Sequence, residues 1–195
     1  MSASPRLAVL GSGKGSNFVA IQEAILAKKL DAQIVLVASD LPDAIILSKA
    51  AAFGLPTATL PASPFRTKLS PEGETALVEL LREHAVEWVV LAGYMRVVKE
   101  PLLAAFPNRI INIHPSLLPA FKGLRAWEQA LAAGVPETGC TVHFVNRDLD
   151  GGKIIAQQRV PVLPGDTPET LHARIQKAEH ELYPAALAKV LIRPK

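Results

Sequence analysis

Three polar residues, Asn112, His114 and Asp150, have the types and spacing that acid–base chemistry requires. Asn112 and His114 lie two positions apart in an apolar stretch, residues 109–114, that is predicted to form a buried strand ending at Pro115. Residues two apart on a strand project from the same face, so the amide and the imidazole would point the same way. Such a pair can stabilise an oxyanion and move a proton, and a carboxylate brought near can tune the imidazole.

The same two residues also have a purely structural interpretation, because polar side chains often satisfy a turn where a strand ends. Two polar groups on one face of an apolar strand are nevertheless costly unless they are satisfied or used. The end of a strand is also where open α/β sheets bind their ligands. Taken alone, Asn112 and His114 therefore leave both interpretations open.

A glycine-rich segment, residues 11–17, separates the first predicted strand from an amphipathic helix. Its glycine spacing matches neither the P-loop nor the dinucleotide-binding pattern. Glycines still allow backbone amides to approach an anion closely, and the N-terminus of the following helix favours negative charge. We therefore favour a phosphate-binding turn over a plain strand–helix turn, with Ser16 or Asn17 capping the helix.

Short apolar runs alternate with helical stretches, which predicts an α/β fold with a mostly parallel twisted sheet and helices on both faces. The predicted strands are 7–10, 34–38, 57–60, 88–92 and 109–114, and the predicted helices are 16–29, 42–53 (opened by Pro42), 71–85 and 101–105. A helix to about residue 133, two runs at 141–145 and 153–162, and a last helix at about 168–191 follow. The two runs predict a mixed, hairpin-like extension of the sheet. Residues 1–195 show no repeat or linker and are predicted to form a single domain.

The composition, 49% apolar and 20% charged residues in a chain of 195, predicts a sizeable core. The net charge of +3 is scattered and forms no dense basic stripe, which gives nucleic-acid binding little support. The single cysteine, Cys140, lies in an apolar run and is expected to be a buried thiol. No run of about 18 apolar residues occurs, so a cytoplasmic protein without a membrane span is expected.

The motifs together resemble those of the phosphoribosylglycinamide formyltransferases, folate-dependent enzymes of purine synthesis in the formyltransferase superfamily. The resemblance is densest at residues 13–17, 91–96, 112–119, 143–145, 149–152 and 179–184. The Asn-x-His-Pro-Ser-Leu-Leu-Pro run with the later Leu-Asp-Gly-Gly is specific for the superfamily but does not by itself select the member. The resemblance implies a single Rossmann-like formyltransferase domain, whose N-terminal half binds the ribonucleotide phosphate and whose C-terminal half holds the folate and catalytic site.

The resemblance implies that the amine of phosphoribosylglycinamide attacks the formyl carbon of the co-substrate 10-formyltetrahydrofolate. The products are the N-formyl ribonucleotide and tetrahydrofolate, in de novo purine (IMP) synthesis, and no metal is implied. Asn112 and protonated His114 would stabilise the tetrahedral oxyanion, and His114 would supply a proton to the leaving folate nitrogen. Asp150 would raise the His114 pKa and help to take protons from the amine.

The same resemblance assigns the ribose phosphate to Gly15, Ser16 and Asn17, and the ribose or glycinamide end to Glu179. Without the resemblance, Glu179 would be interpreted as a solvated residue of the last helix. The folate pocket is assigned to Lys68, Met95, Arg96, Val97, Val98 and Asn112. Arg66 could make the folate contact in place of Lys68, but we favour Lys68. His143 is interpreted as a structural residue beside the site.

Two alternatives within the superfamily, and one from outside it, compete with the transferase. In formyltetrahydrofolate hydrolase, water replaces the amine, but that enzyme normally carries an N-terminal regulatory domain, which is not expected here. The formyl-methionyl-tRNA enzyme carries an extra C-terminal domain, which is not expected here either. A non-catalytic phosphate- or folate-binding module is the alternative from another class, yet it gives no reason to keep Asn112, His114 and Asp150 together. We expect small-molecule partners only, and a monomer or homodimer.

Overall fold

A computed structural model describes residues 4–191, and a seven-stranded sheet lies at its centre. The strands are β1 (Arg6–Leu10), β2 (Gln33–Ser39), β3 (Thr57–Thr59), β4 (Trp88–Leu91), β5 (Ile110–His114), β6 (Glu137–Phe144) and β7 (Ile154–Pro161). Their order across the sheet is β3-β2-β1-β4-β5-β6-β7. The first five strands are parallel, whereas β6 runs antiparallel to both β5 and β7. The predicted fold class, including the mixed C-terminal extension, is confirmed.

Helices cover both faces of this sheet. They are α1 (Ser16–Leu26), α2 (Ile45–Ala52), α3 (Pro71–Glu83), α4 (Glu100–Ala105), α5 (Ala126–Ala132) and α6 (Pro168–Val190). One core cluster joins the sheet to α1, α2 and α6, and a second joins it to α3 and α4. Strand β1 shows why both faces are covered: Leu7 and Val9 lie in the first cluster, and Ala8 and Leu10 lie in the second. Every second residue of a strand faces the same side, so a continuous apolar run demands helices on both sides.

The structure corrects several predicted boundaries. Helix α2 begins at Ile45 and not at Pro42, because residues 41–44 form a turn in which the Ala44 amide donates to the Leu41 carbonyl. Helix α1 ends at Leu26, because Lys28 has a positive φ of 57°. Strand β6 begins at residue 137, four residues before the predicted start at 141.

The longest helix, α6, fastens the first core cluster to the middle of the sheet. The buried Tyr183 hydroxyl lies 3.0 Å from the carbonyl oxygen of Leu91, the last residue of β4, and 3.0 Å from that of Ile111, within β5. Near the start of α6, the His172 ring stacks on Trp127 of α5, with centroids 3.8 Å apart and planes 5° from parallel. These contacts fix α6 against β4, β5 and α5.

We expect Gly152→Ala to destabilise the fold. A Cβ at this position would lie 1.7 Å from the Phe144 carbonyl oxygen and 2.7 Å from its carbon, where β6 and β7 come together. Because the obstacle is backbone, relief requires a shift of the strands, and we expect a loss of about 1–3 kcal/mol in the free energy of unfolding. Urea unfolding measures it, with Gly13→Ala as the control because nothing lies within 4 Å of a Cβ there. Equal stability of the two variants would contradict the prediction.

Candidate active site

The end of β5 brings Asn112 next to His143 of β6. The two residues are register partners in the antiparallel pair, and the Asn112 Nδ2 atom lies 3.2 Å from His143 Nε2. His143 Nδ1 lies 2.8 Å from the Phe144 carbonyl oxygen, which can only accept, so Nδ1 carries the proton and Nε2 accepts from the amide. Burial lowers the pKa of His143, which favours the same neutral form. His143 therefore orients Asn112 and leaves its second amide hydrogen free for a ligand.

His114, the last residue of β5, is buried and lies between two oxygen acceptors. Its Nε2 atom is 2.9 Å from the Phe121 carbonyl oxygen, and its Nδ1 atom is 3.5 Å from Asp150 Oδ2. A carbonyl oxygen can only accept, so Nε2 carries a proton, and Nδ1 faces the carboxylate. Exchange of a proton with a substrate requires that one of these contacts be replaced by a contact with the substrate.

Asp150 reaches the two histidines from the connection between β6 and β7. Its backbone has a positive φ of 49°, which Asp tolerates better than most residues. The Oδ2 atom accepts a hydrogen bond of 2.8 Å from the Gly123 amide, and Oδ1 lies 3.8 Å from His143 Nε2. The structure thus brings Asn112, His114 and Asp150 together at one end of the sheet, as predicted from the sequence.

The second part of the site lies where β1 and β4 are neighbours. The chain leaves β1 towards β2 and returns to the sheet at β4, so the turns after β1 and β4 lie side by side at a topological switch point. The Ser12 amide donates to the Gly93 carbonyl, with 3.0 Å between the atoms. The glycine-rich turn and the segment of residues 92–99 therefore share the carboxyl edge with the catalytic candidates on β5.

The glycine-rich turn leads into α1 without a side-chain cap, so the prediction that Ser16 or Asn17 caps this helix is wrong. Gly15 is the N-cap residue, in a left-handed conformation with φ 67°, and a Cβ there would lie 2.7 Å from Ile46 Cγ1. The first amides of a helix have no partner within it, so this end of α1 has donors for an anion.

Asn17 instead points to α6, where it meets Glu179. Both side chains are buried, and Asn17 Nδ2 donates to Glu179 Oε2 across 2.8 Å. The Asn17 Oδ1 atom is buried without a hydrogen-bond partner. Glu179 is thus not the solvated residue that the sequence alone indicated. It is buried and contacts Asn17, at the end of the glycine-rich segment.

Comparisons with known proteins agree with this geometry. The formyl transferase family model matches residues 5–187. The chain belongs to the formyl transferase family. It is 43% identical over 186 residues to a phosphoribosylglycinamide formyltransferase of Bacillus subtilis, with 95% of this chain and 94% of the relative covered.

Two further relatives agree with the family assignment. The chain is 44% identical to part of the trifunctional purine biosynthetic protein adenosine-3 of Bos taurus, with 95% of this chain but only 18% of that protein covered. The crystal structure of glycinamide ribonucleotide transformylase 1 from Symbiobacterium toebii superposes with a TM-score of 0.93 at 45% identity. That superposition covers 98% of this chain and 89% of the crystallised one.

In this formyl transferase, the residues assigned to folate differ in accessibility. Met95 is 56% exposed at the edge of the site, whereas Val98 is buried in the second core cluster. The Val97 amide donates to the Thr67 carbonyl across 2.7 Å. Lys68 Nζ lies 4.4 Å from the centre of the Phe65 ring, on the exposed loop between β3 and α3.

Arg96 has a partner that the sequence analysis missed. Its Nε atom donates to Asp40 Oδ2 across 2.6 Å, and its Nη1 atom donates to the Phe65 carbonyl. The positive charge of the guanidinium is thus balanced by a carboxylate of the protein itself, so it needs no anionic ligand as a counter-charge. The sequence contains a signal for this contact. Asp40 follows β2 directly, and parallel strands end at a shared edge, which brings Asp40 towards the segment after β4.

No metal centre or membrane helix emerges from the described part of the chain. Within residues 4–191, no group of three or more His, Cys, Asp and Glu side chains has an arrangement that could hold a metal ion. No helix in the same range is long and apolar enough to cross a membrane.

Glu179 predicts a pH-dependent stability. Burial raises its pKa from 4.5 to about 7, against the hydrogen bond from Asn17. A raised folded-state pKa contributes stability that is fully present below pH 4.5 and is lost as the pH rises through about 7, in total about 3 kcal/mol. The side chain introduced by Glu179→Gln cannot ionise, so the free energy of unfolding of this variant should not show this fall as the pH rises through about 7.

Urea unfolding at a series of pH values tests the prediction. The wild type should lose stability relative to Glu179→Gln between pH 4.5 and about 7. Glu181→Gln, at an exposed position of the same helix, is the control and should follow the wild type. Parallel curves for Glu179→Gln and the wild type would show that the buried carboxyl is not the cause.

Proposed function

We propose that this protein transfers the formyl group of 10-formyltetrahydrofolate to the amine of phosphoribosylglycinamide, yielding N-formyl ribonucleotide and tetrahydrofolate in purine synthesis. One observation supports it above all: Asn112, His114 and Asp150 converge beside a glycine-rich helix N-terminus. Relatives named phosphoribosylglycinamide formyltransferase, similar over nearly the whole chain, agree with it.

The oxyanion of the tetrahedral intermediate is assigned to Asn112 and His114. When the amine attacks the formyl carbon, the carbonyl oxygen gains negative charge and needs donors that are already in place. Asn112 has one amide hydrogen directed at His143 and a second that is free for that oxygen. The buried surroundings of His114 strengthen its interaction with the same charge.

The proton transfers are assigned to His114 and Asp150. The amine loses a proton after attack, and the folate nitrogen must gain one before the carbon–nitrogen bond breaks. The imidazolium of His114 supplies that proton, and the nearby carboxylate of Asp150 stabilises the positive ring. Asp150 also accepts protons from the amine, through water.

The substrates are assigned to the two turns at the switch point. The phosphate binds the backbone amides of Gly15, Ser16 and Asn17 together with the Ser16 hydroxyl, and the ribose end meets Glu179, which already contacts Asn17. The folate binds across the segment after β4, with Met95, Arg96, Val97 and Val98, and reaches Asn112 and Lys68. These positions put the amine and the formyl group at the end of β5.

An absorbance assay of 10-formyltetrahydrofolate, with and without phosphoribosylglycinamide, tests the function. Formation of tetrahydrofolate only in the presence of the ribonucleotide is the expected result. Equal rates without the ribonucleotide would identify a formyltetrahydrofolate hydrolase. Binding of either compound without turnover would identify a non-catalytic binding module.

A further inference from the structure

A buried link between Ser12 and Asp40 joins the two turns to which the proposed function assigns its substrates. The Ser12 hydroxyl donates to Asp40 Oδ1 across 2.5 Å and accepts from the Met95 amide across 2.9 Å. Both Ser12 and Asp40 are less than a tenth exposed. One hydroxyl group thus connects the glycine-rich turn to the segment assigned to the folate.

Asp40 extends the link to a third segment. While Oδ1 accepts from Ser12, Oδ2 accepts from Arg96, whose other end donates to the Phe65 carbonyl in the loop before α3. Both carboxylate oxygens are therefore occupied by groups from different segments. The glycine-rich turn, the segment after β4 and the loop that carries Lys68 all depend on the position of one carboxylate.

Hydrogen bonds to other segments hold the segment after β4: the Gly93 carbonyl accepts from the Ser12 amide, and the Val97 amide donates to the Thr67 carbonyl. Residues 92–99 have no helix or strand, so their position depends on contacts such as those of the Met95 amide and the Arg96 guanidinium. A ligand that orders the glycine-rich turn also fixes Ser12, and through it the amide of Met95. A second ligand then binds a segment that is already partly ordered, so its binding loses less conformational entropy.

We propose that Ser12 and Asp40 are positioning residues that couple the two substrate sites, so that a ribonucleotide on the glycine-rich turn tightens folate binding. The inference rests on the proposed function, because it takes these two ligands as given. Coupling is reciprocal, so folate must tighten ribonucleotide binding by the same factor. Neither residue contacts the reacting atoms, and loss of the link acts on affinity and not on the chemical step.

Calorimetric titration with tetrahydrofolate, alone and with saturating phosphoribosylglycinamide, measures the coupling without turnover, since no formyl group is present. We expect the ribonucleotide to tighten tetrahydrofolate binding to the wild type by about fivefold or more. In Ser12→Ala, the Met95 amide loses its acceptor and the factor should fall towards one. Ser48→Ala is the matched control, because that exposed hydroxyl only donates to Ile45 of its own helix.

Asp40→Asn is a second variant, which tests the same link even if Ser12→Ala fails to fold. Its amide oxygen can still accept from Ser12, but its nitrogen would face the Arg96 donor, so the coupling factor should again fall. A wild-type factor of one, or an unchanged factor in both variants, would overturn the inference and leave the proposed function intact. Failure of the wild type to bind either ligand would contradict the proposed function, and the inference with it.

Discussion

His114→Ala is expected to lower formyl transfer by a factor of about 10²–10⁴, the range that a positioned acid–base residue contributes. The variant removes the group that lies between Phe121 and Asp150, and no other described side chain shares both contacts. Ribonucleotide affinity should be nearly unchanged, because the phosphate is assigned to the start of α1. Single-turnover rates at saturating substrates, together with titration of the ribonucleotide, separate the two effects.

His84→Ala is the matched control for this variant. His84 lies at the end of α3, where its ring Nδ1 atom is 3.0 Å from the Leu80 carbonyl oxygen of the same helix. Its replacement should leave transfer at the wild-type rate. Near wild-type turnover in His114→Ala would exclude His114 as the proton donor, whatever the control showed.

Asp150→Asn is expected to lower the transfer rate by about 10²-fold or more, although the side chain keeps its size. The amide oxygen can still accept from the Gly123 backbone, so the connection between β6 and β7 should keep its shape. That oxygen would also stay beside His114 Nδ1, and the amide nitrogen would take the position of Oδ1, near His143 Nε2. What His114 loses is the negative charge that stabilises its positive form during proton transfer.

The rate and its pH dependence are both needed to test Asp150. Asp43→Asn, at an exposed position before α2, makes the same chemical change away from the site and should have no effect. An unchanged pH–rate profile in Asp150→Asn would contradict the electrostatic role, even if the rate fell.

The parts of the site that depend on local periodicity could be predicted from the sequence. Asn112 and His114 project together because they are two apart on a strand, and the run of apolar strands predicted the sheet that carries them. The approach of Asp150 is different, because it depends on how the β6–β7 connection folds back. That connection needs Gly152, which closes on the Phe144 backbone, and no periodic pattern reports such a contact.

Contacts between distant segments account for what the sequence analysis missed. Asp40 and Arg96 are 56 residues apart, and only the parallel strand order brings them together. Without the resemblance, Glu179 would be interpreted as solvated because its helix is polar overall, whereas the structure turns that residue towards Asn17. The early start of β6 was missed because Thr138 and Gly139 lack the apolar character of a typical central strand.

The stack of Trp127 on His172 gives the protein a built-in fluorescent reporter. A neutral imidazole quenches indole emission less than a charged one, and burial together with the charge of Lys14 lowers the pKa of His172. Helix α5 follows the segment that contacts His114, and α6 carries Glu179, so small movements of either helix change the stacking distance. With Trp88 as the other tryptophan of the chain, Trp88→Phe would isolate an optical signal of ligand binding that needs no added dye.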